Sequence, residues 1–160
     1  SSRGMAHAHA HHDHGLAGPA LARELADAER RCAVAQERLT HPRRRVLEML
    51  LEAGRPVKAY DLIAGYGVEA PAKPPTVYRA LGFLEKQGLV HRIESLGAFV
   101  ACRHGEGGHA AAFLICDCCG ATQEFEPRAA HDVAKAGERA GFEVTGVTIE
   151  AHGLCADCRP

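Results

Sequence analysis

"KPPTVYRALGFLEKQGLVHRIES", residues 73–95, decides the fold. Its two prolines suit the first turn of a helix, where a missing N–H costs nothing and φ is already set. Val77, Ala80, Leu81 and Leu84 then recur at helical spacing, and Gly88 can take the left-handed turn that ends a helix. "LVHRIES" follows at once as a short strand, and "AFVAC" (98–102) makes a second one across Leu96–Gly97. A helix that feeds straight into a β-hairpin predicts a winged helix, whose last helix enters the major groove of DNA.

The chain before this stretch agrees. "LTHPRRRVLEMLLEAG" (39–54) predicts a helix capped at Thr40 or His41, with Pro42 in its first turn and a stop at Gly54. Its apolar stripe is Val46, Leu47, Leu50 and Leu51. "VKAYDLIAGYG" (57–67) predicts a short helix and "VEAPAKPP" (68–75) a turn. "PALARELADAERRCAVAQER" (19–38) is an Ala-rich helix, in which Cys32 reads as a small packing residue. Residues 1–18 read as a disordered His-rich tail. Ser1–Gly4 look like a vector remnant ahead of a native Met5, and His7, His9, His11, His12 and His14 suit loose metal binding, with an affinity tag as the competing reading.

The chain changes character after Gly105. "HAAAFLIC" (109–116), "ATQEFE" (121–126) and "FEVTGVTIEAHG" (142–153) predict strands, and "PRAAHDVAKAGERAG" (127–141) a helix. A unit this small buries little core alone, so a staple or a partner chain is expected. Charge divides in the same place. Residues 40–92 carry nine Lys and Arg against five Asp and Glu, while residues 93–160 carry five against ten. A basic first module can face phosphates. No run approaches the roughly 18 apolar residues of a membrane span, and no signal peptide is visible, so a soluble cytoplasmic protein is expected.

Seven cysteines in a cytoplasmic chain point to metal rather than to disulfides. Cys116-x-x-Cys119 and Cys155-x-x-Cys158 supply four thiolates at the spacing that holds structural zinc. A redox dithiol is the competing reading. Cys118 reads as a spare thiol on the turn. The metal would pin the end of the chain to its first C-terminal strand.

The chain resembles the ferric uptake regulator family and, within it, the zinc uptake branch. The likeness rests on "KPPTVYRALGFLEKQGLVHRIES", "AFVACRHGEGGH", "FLICDCCGATQE" and "IEAHGLCADC", and covers about residues 20–158. It implies an α+β protein with a winged helix-turn-helix domain at 19–103, a hinge at 104–110 and a small α/β dimerisation domain at 111–160. It also implies a homodimeric, metal-responsive repressor acting on pseudo-palindromic operators of zinc-uptake genes. By the same resemblance a second, regulatory metal falls on His91, Cys102, His109 and Glu124, making two zinc ions per chain. His104 competes with His109 as a ligand. One thiolate, two imidazoles and one carboxylate suit tetrahedral zinc, whereas iron and manganese favour nitrogen and oxygen donors. An iron- or peroxide-responsive regulator of the same family is the alternative. The His-rich third site of many iron sensors is not visible in "RHGEGGH", and His131 and His152 read as surface or hydrogen-bonding residues.

DNA contacts are expected from Arg43, Arg44, Arg45, Lys58 and Lys73 on phosphates. Thr76, Tyr78 and Arg79 on the outer face of the recognition helix are expected to read bases. A buried Tyr78 is the competing reading. An enzyme is disfavoured, because four protein ligands leave no open metal position for water.

Overall fold

The computed structural model describes residues 15–102, 110–125 and 128–160. Four helices come first: α1 (Gly18–Val34), α2 (His41–Ala53), α3 (Ala59–Gly65) and α4 (Pro74–Lys86). The expected stripes of α2 and α4 all turn inward and meet Leu25, Ala28 and Cys32 of α1 in one buried cluster. Each buried Leu or Val contributes about 1.5–3 kcal/mol relative to exposure, so this seam holds the four helices together. Cys32 is 1% exposed, a packing residue as expected.

Helix ends follow local hydrogen bonding. At the end of α4, Gly88 (φ 71) donates its N–H to the Glu85 carbonyl at 3.0 Å, and Leu89 donates to Leu84 at 2.9 Å. That is the pair of hydrogen bonds that closes a helix through a left-handed residue. α1 closes the same way without a glycine. Gln36 (φ 58) donates to Ala33 at 3.0 Å and Glu37 to Cys32 at 2.8 Å, so the helix stops at Val34 and not at Arg38.

The wing has three strands rather than two. β1 (Val57–Lys58) takes the start of the segment expected to be helical, because Val57 pairs with Phe99 and Lys58 with Ala98. β2 (Val90–Ile93) pairs with the central β3 (Ala98–Ala101) on its other side, placing His91 opposite Val100. One 3-10 turn, Glu94–Leu96, joins them and ends at Gly97 (φ 57).

The second sheet has the order β5-β4-β6. β4 (Ala110–Cys116) runs antiparallel to β5 (Thr122–Glu124) and parallel to β6 (Val147–Gly153), with α5 (Arg128–Arg139) as the crossover. β6 begins later than the expected residue 142. At Gly137 a Cβ would collide with Val144, so α5 lies directly against the lead-in to β6. Alternate residues of β4 face the wing: Ala111, Phe113 and Ile115 bury themselves with Ile93, flanked by Leu96 and Val100. The two sheets therefore share an apolar contact. No helix of the described residues is long and apolar enough to cross a membrane.

Candidate metal centres and nucleic-acid interface

The parallel pairing of β4 with β6 sets Cys116 beside Gly153, so the turn that follows β6 arrives at the turn that follows β4. Asp117 N–H bonds the Gly153 carbonyl at 2.8 Å and fixes that approach. The result gathers Cys116, Cys119, Cys155 and Cys158, whose sulfurs all lie within 4.8 Å of one another. Cys119 Sγ is 3.8 Å from Cys155 Sγ, and the Cys155 N–H points at Cys116 Sγ at 3.3 Å. Backbone N–H groups of Cys119 and Cys155 bring the Cys116 thiol down to about 6. Burial and the neighbouring thiols push Cys158 the other way. Four sulfurs this close cannot all ionise without a cation between them, and a soft tetrahedral set fits zinc. Cys118 is exposed and is not one of the four, though its thiol reaches Cys158.

His91, Cys102 and Glu124 form a second group, again with donor atoms within 4.8 Å of one another. They come from β2, from the residue following β3, and from the end of β5. Cys102 is aimed by its own N–H, which donates to the Leu89 carbonyl at 2.9 Å. Its Sγ lies 3.9 Å from Glu124 Oε1. The His91 ring stands edge-on to Phe113, centroids 6.0 Å apart. Its Nε2 is buried without a hydrogen-bond partner, and burial lowers its pKa. An orphaned buried imidazole nitrogen beside a thiol and a carboxylate has the chemistry of a metal ligand. His104 and His109 lie outside the described residues, as does the His-rich tract at 1–14.

Lys73, just before α4, and Tyr78 and Arg79 on it are exposed, and Thr76 is half-buried. Tyr78 is 54% exposed, against the reading that buried it. Lys58 on β1 and Arg44 on α2 are also exposed, Arg44 lying 4.0 Å from Glu29. Arg43 stacks on Phe83 at 3.5 Å and donates to the Arg38 carbonyl at 2.7 Å, so its guanidinium is partly engaged within the protein. Arg45 is a correction. It donates to the carbonyls of Tyr66 (2.9 Å) and Gly65 (3.3 Å) and to Glu48 (2.9 Å). Its side chain ties α2 to the end of α3 and is not a free phosphate ligand. Tyr60 on α3, 78% exposed, escaped the sequence reading. The inward turn of Ala59 and Leu62 was the signal that would have exposed it. His131 is exposed, and His152 hydrogen-bonds Asp117 and Glu150.

Comparison with known proteins bears on the family and the fold. Residues 35–152 match the model of the ferric uptake regulator family. The chain is 42% identical over 137 residues to the zinc uptake regulation protein of Escherichia coli (strain K12), covering 84% of this chain and 80% of that one. It superposes on a zinc uptake regulator complexed with zinc and DNA with a TM-score of 0.78, at 40% identity, covering 88% of this chain and 95% of that one. A holo XcZur crystal structure gives a TM-score of 0.73 at 43% identity, covering 83% and 94%.

Proposed function

The chain belongs to the ferric uptake regulator family, and from that premise we propose that it is a zinc-responsive homodimeric repressor of zinc-uptake genes. It binds pseudo-palindromic DNA operators in the cytoplasm and catalyses no reaction. The observation that carries this reading is the His91–Cys102–Glu124 cluster, because it joins the wing to the second sheet.

The fold is an N-terminal winged helix followed by a small α/β dimerisation domain, divided as 19–103 and 111–160 by a hinge. Each chain holds two zinc ions: one structural on Cys116, Cys119, Cys155 and Cys158, one regulatory on His91, Cys102, Glu124 and His109. Zinc supplies a Lewis-acid cross-link among these donors and no redox chemistry. Cys102 selects it, since a thiolate favours zinc over the harder iron and manganese sites.

The residues do the rest. His91 and Cys102 anchor the wing strands, and Glu124 anchors β5, so the set fixes how the winged helix sits on the dimerisation sheet. α4 packs on β2 and is carried with it. Arg79 and Tyr78 present donors and an aromatic edge to bases, while Lys73, Arg44 and, once released from Phe83, Arg43 meet phosphates. Two copies place two recognition helices at half-site spacing. Coupling is reciprocal: DNA must raise zinc affinity by the factor that zinc raises DNA affinity.

A duplex enriched from a random pool by the zinc-loaded protein provides the test. Binding to it is measured with zinc, iron(II) and manganese(II) added separately to protein retaining its structural metal. Zinc alone should restore tight binding. Restoration by iron(II) or manganese(II) at lower concentration would overturn the zinc reading in favour of an iron or peroxide sensor.

A further inference from the structure

Phe113 stands in the middle of one cross-strand row, opposite Glu124 on β5 and Glu150 on β6. Aligned residues on neighbouring strands share a face of the sheet, so all three look toward the wing. Phe113 packs on Ile93, and Glu124 reaches Cys102. Glu150 reaches the wing at a different point. Its Oε1 accepts the backbone N–H of Ser95 at 3.2 Å, in the turn between β2 and β3. Its Oε2 lies 3.3 Å from His152 Nε2, and Nδ1 of the same ring lies 3.1 Å from Asp117 Oδ1. Asp117 in turn is tied through its N–H to Gly153 at the head of the cysteine turns. A chain of polar contacts thus runs from the wing turn to the staple loop. The Glu150 side chain is 16% exposed, well covered for a carboxylate.

We propose that Glu150 is a positioning residue for DNA binding: it clamps the wing turn at Ser95 while His91, Cys102 and Glu124 grip the wing from the other side of Phe113, and His152 and Asp117 brace the clamp from the staple loop. A single attachment beside Phe113 leaves the wing free to pivot on that ring. Attachments on both sides of it remove the pivot and with it the freedom of α4. Among the described residues Glu150 touches none of the proposed metal ligands, yet it should strengthen the regulatory site by holding two of its donors in place. This last consequence and the grip on the far side of Phe113 rest on the regulatory site proposed above; the attachment of Glu150 to the wing turn does not.

The test uses full-length dimer with its structural zinc in place and compares wild type, Glu150→Ala and Glu150→Gln. Hydrogen exchange is followed in the wing turn, and the weaker zinc is titrated against a chromophoric chelator. Glu150→Ala should speed exchange at residues 93–98 and weaken the second zinc about tenfold, the scale of one charge-assisted hydrogen bond. Glu150→Gln keeps an oxygen for Ser95 and should recover most of both. Wild-type exchange and zinc affinity in Glu150→Ala would overturn the clamp. So would equal loss in both variants accompanied by a lower Tm and loss of staple zinc, which marks a merely structural role. Should the wild type take up only its structural zinc, the regulatory reading fails, and exchange at the wing turn alone decides the clamp.

Discussion

The two candidate metal centres use overlapping chemistry at different scales. Cys116, Cys119, Cys155 and Cys158 all lie at one end of a single sheet, at the end of β4 and in the turns beyond β4 and β6. His91, Cys102 and Glu124 are drawn from two sheets that also meet through a small apolar contact around Ile93 and Phe113 and through the Glu150–Ser95 hydrogen bond. A cross-link inside one sheet contributes to whether that sheet folds. A cross-link between two sheets contributes to where one lies relative to the other. On the reading proposed above, the first centre would hold a stabilising metal and the second a signalling one.

The sharpest way to break this contrast is to remove one staple thiol. Cys116→Ser or Cys155→Ser should release one tightly held zinc per chain and leave a monomeric or unfolded C-terminal unit, because structural zinc can contribute roughly 10 kcal/mol to such a unit. Metal analysis with analytical ultracentrifugation reads the outcome, and a folded, zinc-free dimer would refute it. His91→Ala should act on the other centre only. The variant should fold, dimerise and keep its staple zinc while losing the second zinc and zinc-dependent DNA binding. Glu124→Ala should do the same more mildly, since water can replace one carboxylate oxygen.

Smaller effects belong to the DNA surface that the second centre is meant to place. Arg79→Ala should cost about 1–3 kcal/mol of specific binding and flatten discrimination at one base per half-site. An unchanged preference between the enriched duplex and random DNA would mean that α4 is not the reading helix. Lys73→Ala should weaken all sequences alike and lower the salt slope by about one, measured by titrating binding against salt.

The same contrast governs what a reader of the sequence can see. Four staple cysteines announce themselves because each pair sits three residues apart, inside one turn. The second centre has no such local mark. His91 is one of 11 histidines and Glu124 one of 20 acidic residues, and both join Cys102 only through strand pairing. Family resemblance supplied that set; periodicity could not. α2 and α4 were legible because their buried stripes are long, whereas β1 is two residues and too short for any alternation to show. Gln36 ends α1 in a left-handed turn usually left to glycine, so nothing in the sequence marked the stop. Arg45 looked like its neighbours Arg43 and Arg44, and only the end of α3 arriving beside it assigns it a structural task. Glu150 is the furthest case: its partner Ser95 lies 55 residues away, and nothing local links the two.

Cys102→Ser tests the division of labour most directly. The thiol is exchanged for a hydroxyl that zinc holds weakly, while all four staple cysteines stay in place. Zinc per chain and binding to the enriched duplex are measured together across a zinc titration. The expected result is a folded dimer that retains one zinc, never acquires the second, and binds DNA only weakly and without response to zinc. A variant that takes up two zinc ions and responds like the parent would make Cys102 a packing residue and place the sensing metal elsewhere.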